Sequence, residues 1–117
     1  MSETVMVISH QNSLRYSIET LLAQGGHTVC PGIDNLGGFR HALNASENIP
    51  TLILLDYWLG RSETRSFVKS LKKQGFAVIL MGNTFLGRNV AATEGVGFLE
   101  KPFTKKELLK AVSQVSH

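Results

Sequence analysis

Cysteine occurs once in this chain of 117 residues, at Cys30, so no internal disulfide and no cysteine-based zinc centre can form. A lone cysteine fits a reducing cytosol. Proline is confined to Pro31, Pro50 and Pro102, and aspartate to Asp34 and Asp56. No apolar run approaches the roughly 20 residues that a membrane span needs. Met1-Ser2-Glu3-Thr4 carries no basic segment of the kind that opens a secretory signal. Charge of one sign is also in short supply: the net charge is +3, from twelve basic residues scattered along the chain. The densest cluster, Lys101, Lys105, Lys106 and Lys110, reads as a solvated helix face, so direct nucleic-acid binding is not expected. What remains is the composition of one globular domain spanning 1–117.

The most informative stretch is Thr51-Leu52-Ile53-Leu54-Leu55-Asp56. An apolar run between Pro50 and Gly60 reads as a strand buried on both faces, as parallel strands in α/β sheets are. It ends on a carboxylate, and ligands gather at the carboxyl ends of such strands. Thr4 to Ser9 is a second strand by its β-branched content. Asn12 or Ser13 can cap a helix whose stripe is Leu14, Ile18, Leu21 and Leu22, stopped by Gly25-Gly26. His27 to Gly32 is a short strand that Pro31 limits. Asp34 or Asn35 can cap a second helix carrying Leu36, Phe39, Ala42 and Leu43.

Beyond the central strand, 59–63 reads as a loop and 64–74 as a helix with Phe67, Val68 and Leu71 inward. Phe76 to Met81 is a fourth strand. Residues 84–95 form a helix with Leu86, Val90 and Ala91 as its apolar face. Gly97 to Glu100 is a fifth strand. Thr104-Lys105-Lys106-Glu107 is a capping box opening a last helix with Leu108, Leu109, Val112 and Val115. Five β-α units in succession predict an α/β, flavodoxin-like (βα)5 sandwich, with a five-stranded parallel sheet of order 2-1-3-4-5. That order sets Ser9-His10 beside Asp56, with Lys101 approaching from the fifth strand.

Leu52-Ile53-Leu54-Leu55-Asp56 and Phe98-Leu99-Glu100-Lys101-Pro102-Phe103, at this spacing, resemble the response-regulator receiver domain of two-component signalling, over nearly the whole chain. The resemblance implies that Asp56 is the phosphoacceptor, that Lys101 pairs with it, and that Lys101-Pro102 is cis. It implies Mg²⁺ held by Asp56 and the Trp58 carbonyl, and a switch at positions 82 and 98. It implies a sensor histidine kinase or phosphotransfer protein as donor, and a downstream protein or output domain as target. A homodimer through the fourth helix, fifth strand and fifth helix is also implied, with Arg88, Phe98 and Lys105 as candidates on that face. Such a domain accepts a phosphoryl group and is not otherwise an enzyme.

Three departures from the family pattern shape the expectation. Ser9 and His10 stand where receivers carry two acidic metal-binding residues, so Mg²⁺ is expected to bind weakly or not at all. Gly82 replaces the usual Ser or Thr, leaving Thr84 as the nearest hydroxyl. Phe98 keeps an aromatic ring without a hydroxyl.

The chain therefore reads as an atypical receiver, either switched through Asp56 or, as a pseudo-receiver, binding a partner constitutively. Asp56 and Lys101 are equally consistent with a permanent structural pair. His10 is open to three readings: a neutral loop residue, a cation beside Asp56, or a transition-metal ligand. Tyr57 and Trp58 are expected near the rim, one of them on the first helix. Gly95-Val96-Gly97 lacks the third glycine of a dinucleotide fingerprint. A small flavodoxin-like ligand binder is the remote alternative.

Overall fold

The computed structural model describes residues 2–58 and 61–115. Five strands, β1 Thr4–Ile8, β2 Thr28–Val29, β3 Leu52–Asp56, β4 Ala77–Gly82 and β5 Gly97–Glu100, form one sheet in the order β2-β1-β3-β4-β5. Every pairing is parallel. The helices are α1 Asn12–Gln24, α2 Phe39–Ala45, α3 Arg61–Lys73, α4 Phe85–Glu94 and α5 Lys105–Ser113. A 3-10 turn over Leu36–Gly38 leads into α2.

Strand alternation divides the core in two. Met6, Ile8, Ile53, Leu55, Val78 and Leu80 face Phe39 of α2, Val68 and Leu71 of α3, and Val90 and Ala91 of α4. Val5, Val7, Leu52, Leu54, Ile79 and Met81 face Ile18 and Leu22 of α1 and Leu108 and Val112 of α5. β3 is buried at every residue because helices cover both faces.

The predicted order and strand arrangement are those found. Several boundaries move. Gln11, not Asn12 or Ser13, is the N-cap of α1, and it makes no side-chain cap bond. β2 shrinks to two residues because Pro31 brings no amide to the ladder. Pairing resumes at one bridge, Ile8 with Ile33. Asn35 does cap, but it caps the 3-10 turn, accepting from the Gly38 amide at 2.9 Å. α3 starts at Arg61, so 61–63 are helical where a loop was expected, and 59 and 60 lie outside the described residues. Glu63 in its first turn and Lys72-Lys73 in its last suit the helix dipole. Leu86 is 50% exposed and leaves the apolar face of α4 to Val90 and Ala91. Thr104 and Glu107 form the capping box in full.

Candidate functional site

Asp56 ends β3, Ser9 follows β1, and Lys101 follows β5. Parallel pairing brings all three to one edge of the sheet. Lys101 Nζ donates to Asp56 Oδ1 at 2.6 Å. Ser9 Oγ donates to Asp56 Oδ2 at 2.8 Å. Both carboxylate oxygens therefore have a partner, and Asp56 is only 2% exposed. A buried carboxylate is stable in a fold only when so paired. The Lys101–Pro102 peptide is cis, as the family pattern implies.

His10 lies at the mouth. Its Nδ1 is 4.0 Å from Asp56 Oδ2, too long for a hydrogen bond, and its side chain is 46% exposed. Its ring sits 5.0 Å from Trp58, tilted by 32°. Trp58 and Tyr57 both pack against the core cluster on the α2–α4 side of the sheet.

Gly82 and Gly87 leave a slot that two rings fill. A Cβ at Gly82 would lie 3.4 Å from Tyr57 Cβ and 3.5 Å from Phe98 Cε1. One at Gly87 would meet Tyr57 Cγ at 3.3 Å and Phe98 Cε1 at 3.4 Å. Thr84 does not supply the missing hydroxyl to Asp56 by any contact seen. Its oxygen accepts from the Gly87 amide at 3.1 Å and caps α4. Arg88 lies over the Phe98 ring at 4.8 Å and pairs with Glu100, so two of the three interface candidates are together. Lys105 is elsewhere, donating to Gln24 of α1 at 3.2 Å.

The donor set is a poor match to Mg²⁺, which takes oxygen ligands in a near-octahedral shell. Beside the one carboxylate stand a hydroxyl that already donates to it and an imidazole. Among the described residues no group of three His, Cys, Asp or Glu side chains could hold a metal ion.

Two residues of α1 behind Asp56, Arg15 and Glu19, carry no signal in the motifs above. Arg15 is 7% exposed, and its Nη1 donates to the Ser9 carbonyl at 2.7 Å. Glu19 Oε2 accepts from the Gly32 amide at 3.1 Å. Burial pushes the Glu19 carboxyl up, against the Gly32 hydrogen bond and the Arg15 charge. The signal for Arg15 was its place on the buried stripe, three residues before Ile18 and seven before Leu22.

The fold and the carboxylate–lysine edge define a class: the chain has the fold of response-regulator receiver domains. Among solved structures it is similar to NtrX from Brucella abortus, at 25% identity and TM-score 0.77, over 97% of this chain and 26% of that one. The chain thus spans about a quarter of the length of NtrX. It is similar to the beryllofluoride-activated NtrC4 receiver domain dimer, at 22% identity and TM-score 0.77, over 94% and 93% of the two chains. It is similar to the chemotaxis protein CheY4 of Vibrio cholerae, at 20% identity and TM-score 0.77, over 99% and 100%. No protein-family model and no curated protein sequence matches the chain.

Proposed function

We propose that residues 1–117 form a single receiver-type module of two-component signalling, working in the cytosol as a protein-interaction switch, with Asp56 as phosphoacceptor and Lys101 as its counter-ion. The observation that carries this reading is the Asp56–Lys101 pair, 2.6 Å apart at the carboxyl edge of a β2-β1-β3-β4-β5 sheet. In phosphoryl transfer to a carboxylate, the protein's part is chiefly placement and charge neutralisation. Lys101 supplies the fixed charge. Ser9 and His10 make Mg²⁺ a weak partner. The donor is a sensor histidine kinase or phosphotransfer protein, and the target a downstream protein or output domain. The module does no enzyme chemistry beyond accepting the phosphoryl group.

The α4–β5–α5 surface, with Arg88 and Phe98, is the proposed contact face and the route to a homodimer. NtrC4, described as a beryllofluoride-activated receiver dimer, is the analogy.

A second reading, a constitutive pseudo-receiver, is favoured by one observation: the Ser9 hydroxyl already occupies Asp56 Oδ2. Incubation with acetyl phosphate and Mg²⁺, read by mass spectrometry, separates the two. Added phosphoryl mass that Asp56→Asn abolishes supports the switch. No added mass on a folded protein supports constitutive binding.

A further inference from the structure

A buried arginine needs a reason. Arg15 is on α1 and only 7% exposed, with its guanidinium carbon 5.1 Å from the centroid of the neighbouring Tyr16 ring. Its Nη1 donates at 2.7 Å to one main-chain oxygen, the Ser9 carbonyl. Charge-assisted bonds of this kind are strong and directional. Ser9 is fully buried, and its hydroxyl donates to Asp56 Oδ2 at 2.8 Å. The Gln11 amide donates to that same hydroxyl oxygen at 3.2 Å.

The back of Arg15 is fixed too. Glu19, one turn along α1, takes the Gly32 amide. Gly32 sits so close that a Cβ there would be 2.9 Å from Arg15 Cδ, 2.5 Å from Glu19 Oε2 and 2.7 Å from the Val7 carbonyl oxygen. The Ser9 amide in turn donates to the Ile33 carbonyl at 3.1 Å. Ser9 is thus held at its amide by the β2 side, at its carbonyl by Arg15, and at its hydroxyl oxygen by Gln11. The remaining freedom, the hydroxyl proton, points to Asp56.

We infer that Arg15 is a positioning residue: by gripping the Ser9 carbonyl it aims the Ser9 hydroxyl at Asp56 and keeps one carboxylate oxygen closed. Only the consequence for signalling rests on the phosphoacceptor reading. Releasing Ser9 frees Oδ2, so a receiver of this kind accepts phosphoryl groups faster when the grip is removed.

The chain has two aspartates, so aspartate labelled with ¹³C at the side-chain carboxyl gives two signals, which Asp56→Asn assigns. At fixed neutral pH, Ser9→Ala is expected to displace the Asp56 signal and leave that of Asp34 in place. Arg15→Met, which keeps an apolar stem and removes the donor, is expected to displace it the same way. Arg15→Lys should return it towards wild type. In the double variant Ser9→Ala with Arg15→Met, the Arg15 change should add no further displacement, because residues acting in series are not additive.

An Asp56 signal unmoved by Arg15→Met overturns the inference, as do two displacements that add in full. Should Arg15→Met fail to fold, Arg15→Leu, likewise apolar and without a donor, carries the same expectations and the same two failures. The phosphoacceptor reading fails separately, as no added mass from acetyl phosphate on any variant, while the carboxyl displacement stands.

Discussion

The Asp56–Lys101 pair combines a carboxylate with no exposed side-chain surface and a lysine side chain 19% exposed. Removing the lysine leaves a buried carboxylate with the Ser9 hydroxyl as its hydrogen-bond donor and the His10 ring 4.0 Å away. Lys101→Ala is expected to cost about 3 kcal/mol in urea unfolding, the order measured for broken buried pairs. Lys101→Ala combined with Asp56→Asn should recover most of that loss, since no charge is then stranded. Equal losses in single and double variants would show that the pair is not what holds this edge. The same geometry ranks two substitutions for cation binding. His10→Asp alone should raise Mg²⁺ affinity by calorimetry, and Ser9→Asp with His10→Asp should raise it further, because the Ser9 hydroxyl no longer blocks Oδ2. A double variant no tighter than the single would sink that ordering.

At the scale of elements, the junction between α1 and the end of β2 is tighter than the sequence suggests. Gly32 lies under Val7 of the central sheet, and the Val7 carbonyl cannot retreat without moving β1. Gly32→Ala is expected to destabilise by about 1–3 kcal/mol, the range for overpacking. Gly97→Ala, whose nearest contact is Ile79 Cγ1 at 3.3 Å and so a looser approach than at Gly32, should cost less. Thermal unfolding of both checks the order, and an unaffected Gly32→Ala would refute the close approach. The elements themselves were largely legible, because each announces itself locally. β5 over Gly97–Glu100 and the Thr104–Glu107 box follow from runs and spacings of a few residues. The misplaced starts of α1 and α3 were not legible. A capping preference is worth only about 1 kcal/mol, and tertiary packing overrides the preference for Asn12 or Ser13 over Gln11.

For the whole molecule, Glu19 gives stability a pH dependence with a definite sign. Its folded pKa lies above the unfolded value because burial disfavours the charge. Its contribution is therefore full below the unfolded pKa and is lost as pH rises through the folded one. Glu19→Gln keeps an oxygen for the Gly32 amide and cannot ionise. In urea unfolding between roughly pH 4 and 7, the variant should gain on wild type as pH rises through that window. A gain in the opposite direction would mean that the Arg15 charge outweighs burial.

The sequence alone determined the layers and the strand order, since alternating apolar runs and helical stripes are local quantities that five β-α units convert into one parallel sheet. It also set Asp56 and Lys101 at the same edge, because both follow the carboxyl ends of strands. The tertiary structure alone decided what closes the carboxylate. Ser9 and Lys101 are 47 and 45 positions from Asp56, and which hydroxyl meets which oxygen depends on strand register and on a buried arginine. No spacing within one segment encodes a contact made across three strands.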